Sequence, residues 1–188
     1  MTADDRTVLV ELQNPSLNFY DTAGRDPGYL HVCDNAKVVI KGTAGLVGGK
    51  DKNGVQSNTV QVADSGTLVL DGKLILGNGG LTSYGGILVK DNGKMVVTST
   101  GNLVLGWNGG SSGSLVLEGN GQFISTNTVS LLRGYNTDLG PVNFYLNGGV
   151  MRVRSFALDP TVYFLDGWTF NGGTVKLDYI EDASTVTE

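Results

Sequence analysis

Three aspartates, Asp34, Asp64 and Asp91, recur at one repeat position and are followed in turn by Asn35, Ser65 and Asn92. If the chain coils so that they stack, their carboxylates come within about 5 Å of one another, the strand spacing of a sheet. Clustered carboxylates can act as general acid and base on a glycosidic bond, or they can hold Ca²⁺. The same residue types also cap turns, because their short side chains accept a backbone N–H. The position continues as Gly119, Asn147 and Asn171. Turn capping tolerates that drift and a catalytic carboxylate does not, so a turn role is the expectation and a metal site the alternative.

A second column follows a recurring turn glycine and reads Gly49, Asn78, Trp107 and Tyr135. Trp107 and Tyr135 are expected to stack on neighbouring coils, with Asn108 and Asn136 directly after them. An aromatic face beside an amide suits a sugar ring, and simple aromatic stacking along a ladder is the plainer alternative. His31 and Cys33 lie two apart on a strand-like stretch and could touch one metal ion. No third ligand stands nearby, so structural roles are expected for both. The lone histidine offers no catalytic triad, and no G-x-S-x-G elbow exists. The stretch Gly106-Trp107-Asn108-Gly109-Gly110 lacks the Lys-Ser/Thr ending of a phosphate loop. No cofactor is expected.

The elements that would position these residues come from a repeat. Aligned on a small residue, the chain reads VCDNAKVVIKG, VADSGTLVLDG, VKDNGKMVVTS, LEGNGQFISTN, YLNGGVMRVRS and TFNGGTVKLDY, with anchors Ala36, Gly66, Gly93, Gly121, Gly149 and Gly173. Glycines 48, 77, 106 and 134 form a second column, and glycines 86, 113 and 140 a third, all close to the same period. Two residues after the anchor stand Val38, Leu68, Met95, Phe123, Met151 and Val175; four after it stand Ile40, Leu70, Val97, Ser125, Val153 and Leu177. Alternate residues of a strand share a face, so both columns should line a core. Before the anchor, Val32, Val62, Val89, Leu117, Tyr145 and Thr169 are expected inside too. Leu74-Ile75-Leu76, Leu103-Val104-Leu105 and Leu131-Leu132-Arg133 form a further wall, in which Arg133 stands where leucine is expected. On the opposite face, Val39, Val69, Val96 and Ile124 form an apolar strip that gives way to Arg152 and Lys176.

Helical periodicity is absent, and equivalent turns every ~28 residues favour a solenoid over hairpins. The expected fold is all-β: a single-stranded right-handed parallel β-helix of about six coils. Residues 1–28 would form an N-terminal cap, 29–179 the repeats, and 180–188 a tail or truncated edge.

The unit from 101 to 126, GNLVLGWNGGSSGSLVLEGNGQFIST, together with the Asn-Gly-Gly strands YLNGGVMRVRS and FNGGTVKLDY, resembles the repeats of autotransporter passengers and PEP-CTERM-associated surface proteins. The resemblance covers about residues 30–179. It implies a β-helix displayed outside a bacterial cell, as a structural or adhesive module. The chain is short for such a passenger, and the opening residues Met1 to Arg6 are polar and do not read as a signal peptide.

Composition agrees with an all-β chain rich in turns: 29 glycines, 40% hydrophobic and 16% charged residues. Thirteen basic and 18 acidic residues give a net charge of -5, and no run of Lys/Arg stands ready to neutralise phosphates, so nucleic acid is not an expected partner. No apolar run is long enough for a membrane helix. One cysteine excludes an internal disulfide. Three functions remain: a non-catalytic surface stem with a glycan or surface protein as partner; a small polysaccharide lyase or hydrolase; and a segment that self-associates through the Val39/Val69/Val96/Ile124 strip or the C-terminal coil.

Overall fold

A computed structural model describes residues 9–13, 16–19, 28–48, 57–76, 84–98, 102–105, 112–131, 142–158 and 168–177. Every strand pairing among them is parallel, and none of them is helical. The fold is a parallel β-solenoid with three walls.

The first wall stacks β3 (Gly28–Val32), β5 (Ser57–Val62), β7 (Tyr84–Val89), β10 (Ser112–Leu117) and the leading parts of β12 (Val142–Leu158) and β13 (Trp168–Leu177). The second stacks β1 (Leu9–Gln13), the leading parts of β4 (Lys37–Gly48) and β6 (Thr67–Leu76), then β8 (Lys94–Val97), β11 (Gln122–Leu131) and the later parts of β12 and β13. The third joins β2 (Ser16–Phe19), the ends of β4 and β6, β9 (Asn102–Leu105) and the ends of β11 and β12. Within the segment expected as a cap, β1 and β2 pair in parallel with β4 and continue walls two and three by one rung.

The walls meet because the pattern of alternate residues puts one apolar column after another inside. Val38, Leu68, Met95, Phe123 and Met151 stack in register, as do Ile40, Leu70, Val97, Ser125 and Val153, and all ten are buried. Leu74, Leu76, Leu103 and Leu105 of wall three are fully buried. Burying each such leucine contributes roughly 1.5–3 kcal/mol relative to leaving it exposed.

Two expected positions need correction. On wall one, Leu117 pairs with Leu146 and Leu146 with Phe170, so Tyr145 and Thr169 do not continue the inner column and stand only half-buried on the other face. The cause is a turn shorter by one residue: four residues separate Leu117 from Gln122, but three separate Leu146 from its paired Val150. On wall three, Ser130 pairs with Val104, which sets Leu131 at the level of Leu105 rather than Leu103. From Val97 to Val104 the chain takes seven steps, but from its partner Ser125 to Ser130 only five, so the rung of β8 and β9 holds two residues more before wall three, a difference that counting from the glycines does not see. Leu131 thus takes the level at which Arg133 was expected to interrupt the leucines; Arg133 itself lies outside the described residues.

Candidate functional site

The corner between walls one and two carries the aspartate column. Each corner is a four-residue turn, Cys33-Asp34-Asn35-Ala36, Ala63-Asp64-Ser65-Gly66, Lys90-Asp91-Asn92-Gly93 and Glu118-Gly119-Asn120-Gly121, closed by an N–H from its last residue to the carbonyl of its first at 2.8–3.0 Å. The second residue has a positive φ in all four: 51° at Asp34, 53° at Asp64, 56° at Asp91 and 59° at Gly119. Among side chains, Asp and Asn tolerate that left-handed region best, and glycine enters it freely. Backbone conformation thus selects Asp and Gly alike at this position, and no shared carboxylate chemistry is needed to account for the column.

In the last two turns the positive φ moves to the third residue, Gly149 (73°) and Gly173 (88°). Asn147 and Asn171 are therefore not equivalent to the aspartates. They form an amide ladder instead, Asn171 Nδ2 donating to Asn147 Oδ1 at 2.8 Å. Asn120 Nδ2 donates to Asn92 Oδ1 at 3.2 Å in the column beside the aspartates.

The carboxylates divide. Ligand atoms of Cys33, Asp34 and Asp64 lie within 4.8 Å of one another, the one such cluster found among the described residues, and Asp91 is not in it. The Asp91 carboxylate stands 3.6 Å from the Lys90 ammonium. The Cys33 thiol donates a long, 3.7 Å bond to Asp34 Oδ2. Partial burial first, then the Asp34 carboxylate through charge and hydrogen bond, then Asp64, push the thiol above its usual range and keep it protonated. A raised thiol pKa disfavours the thiolate that a nucleophile needs. Two carboxylates beside it fall well short of the roughly 6–8 oxygens that Ca²⁺ takes. His31 is exposed on wall one opposite Gln61 and is outside the cluster.

A substitution series reads the turn directly. Asp64→Asn and Asp64→Gly are expected to leave stability within about 0.5 kcal/mol of wild type, whereas Asp64→Val costs roughly 1–2 kcal/mol, the cost of a branched side chain in the left-handed region. Urea denaturation with and without millimolar Ca²⁺ checks it. A Ca²⁺-dependent rise in midpoint that Asp64→Asn abolishes would restore the metal reading.

Trp107, Asn108, Tyr135 and Asn136 lie outside the described residues. The expected strip Val39, Val69, Val96 and Ile124 does align in one column on the outside of wall two, in register with Arg152 and Lys176. Val39 is buried and the other three are half-buried. The flanking outward positions bring cations from distant rungs to this wall: Lys37, Lys41, Lys94 and Arg154 join Arg152 and Lys176. No linear run betrays this gathering, because no rung supplies more than two of these cations.

Wall one is the opposite. Its strands β3, β5, β7 and β10, and the leading segments of β12 up to Leu146 and of β13 up to Phe170, contain no Asp, Glu, Lys or Arg. Its outer face shows Tyr29, Tyr84 and Tyr145 among hydroxyls and amides, with Tyr29 56% exposed. The signal was present in the sequence as charge-free strands, but it has meaning only once the outward positions are known.

No helix among the described residues is long and apolar enough to cross a membrane. Comparison with protein-family models, curated proteins and solved structures returned no match.

Proposed function

We propose that the chain is a non-catalytic structural module, a rigid stem that displays its walls outside a bacterial cell, as the resemblance to passenger repeats implies. The observation that supports this most is the use made of the polar turn residues. The aspartates answer to backbone geometry, the asparagines to amide ladders, and the anchor glycines to close packing between coils. Such a module owes its function to length, stiffness and surface rather than to one rung.

The test is removal of a rung. Gln122 pairs with Lys94 and Leu117 with Val89, so deleting residues 94–121 joins Gly93 to Gln122 without a change of register. Stability in solenoids is a sum over rungs and their interfaces. The shortened chain is expected to keep an all-β circular dichroism spectrum and cooperative unfolding, with a lower melting temperature. Neither form is expected to release reducing ends from neutral or acidic polysaccharides. Release by the full chain, abolished by Asp64→Asn, would replace the stem with the lyase or hydrolase alternative.

A further inference from the structure

We infer that the outer face of wall one is a binding platform for a neutral, extended β-linked polysaccharide, with Tyr29 and Tyr84 as stacking residues on alternate rungs. The inference rests on the non-catalytic reading above and adds a ligand class to it.

The geometry begins with a missing side chain. Tyr29 pairs with Thr59, Thr59 with Gly86 and Gly86 with Ser114, one outward column across four rungs. Gly86 leaves a gap in that column, and the ring of Tyr84 fills it. A Cβ at Gly86 would come 2.9 Å from Tyr84 Cε1 and 3.0 Å from its hydroxyl oxygen. The hydroxyl reaches the next rung and shares a hydrogen bond with the Ser114 hydroxyl, which fixes the ring along the face. The column therefore holds two aromatic rings separated by two rungs, roughly 9.5 Å at the spacing of neighbouring strands. That separation is close to the repeat of two sugars in an extended β-linked chain, whose alternate rings present the same apolar face.

The surroundings match a neutral ligand. Thr59 sits between the two rings, and His31, Gln61 and Asn143 flank them with donors and acceptors. With no Asp, Glu, Lys or Arg in these strands, an acidic polymer would lose hydration here without gaining a counter-charge. The cations that such a polymer would seek stand on wall two instead. Parallel strands hold the rings at a fixed separation, so little ordering is lost on binding.

Affinity electrophoresis of the full chain through gels containing a soluble neutral β-1,4-glucan, a β-mannan, α-linked dextran or an acidic polyuronate tests the platform. Retardation is expected in at least one of the two β-linked neutral gels and not in dextran or polyuronate. Tyr29→Ala removes an exposed ring and is expected to weaken binding roughly ten-fold, with Tyr29→Trp retaining it. Gly86→Ala pushes only the far end of the Tyr84 side chain, so it is expected to keep the melting temperature while weakening binding. Lys176→Ala on wall two is the unaffected control. Retardation by polyuronate alone, no retardation by either β-linked polymer, or equal binding by wild type and Tyr29→Ala would overturn the platform and leave the stem standing. Cleavage of the gel polymer would overturn the stem reading itself.

Discussion

Gly93→Ala is expected to lower the melting temperature by roughly 8–16 °C, corresponding to a loss of about 4 kcal/mol. The φ of Gly93 is not in the left-handed region, so the requirement is one of space alone. A Cβ there would stand 2.6 Å from the Val62 carbonyl carbon and 2.9 Å from the Ala63 amide nitrogen, and closer still to the Val62 oxygen. All three atoms are backbone and none can swing aside. Relief requires the two coils to part, and at this corner they are joined by Lys90 N–H to Val62 O at 3.0 Å and Lys94 N–H to Gly66 O at 2.9 Å. Buried backbone groups that lose such bonds keep the full desolvation cost. Gly66 and Gly121 face the preceding coil in the same way. Gly172 is the internal control: a Cβ there meets nothing nearer than the Asn147 oxygen at 3.7 Å, so Gly172→Ala is expected within about 0.5 kcal/mol of wild type. Thermal melts of the two variants decide it. Equal melting temperatures would mean that the coils are not packed as closely as the corner requires.

The same corner shows what a sequence can and cannot disclose about this fold. The inner columns from Val38 to Val175 and from Ile40 to Val153 are legible, because the anchor and the two-residue alternation fix them together. Tyr145 and Thr169 were misplaced because the count from the glycine assumes a constant turn, and the Asn147-Gly148-Gly149 turn is shorter by one. The wall through Leu131 escapes the count for a related reason: the rung before it spends two more residues between Val97 and Val104 than this one spends between Ser125 and Ser130, with no glycine to mark the difference. For the aspartate column, sequence shows the residue types but not φ, and Gly119 in line with Asp91 was the single hint that conformation mattered more than charge. The uncharged wall is hard to read from the sequence because its signal is an absence of charge spread over strands separated by most of a repeat. Tyr84 adds a further difficulty. Its ring acts two positions along the strand, over Gly86, where position counting sees nothing.

The double substitution Phe123→Ala with Ser125→Leu is expected to cost clearly less than the sum of its parts. Among the described residues Phe123 is the largest wholly buried side chain, stacked between Met95 and Met151. Two residues on, Ser125 is 1% exposed in a column otherwise made of Ile40, Leu70, Val97 and Val153. The two point into the same interior from one rung, one oversized for its column and the other undersized. Close packing makes volume a shared quantity between such neighbours. Phe123→Ala alone leaves a cavity and is expected to cost about 3–5 kcal/mol. Ser125→Leu alone supplies the residue type the column calls for, yet is expected to cost about 1–3 kcal/mol, because Phe123 already fills the space. Together, the leucine enters the volume the ring vacates, and the coupling should recover roughly 1–2 kcal/mol. Urea denaturation of the four members of the cycle measures it. Additivity within about 0.5 kcal/mol would show that the two side chains do not share space. Coupling of the expected sign would show that this solenoid fills each rung as a unit, trading residues along a strand as well as between coils. That is also why a whole rung should be removable where single core residues are not.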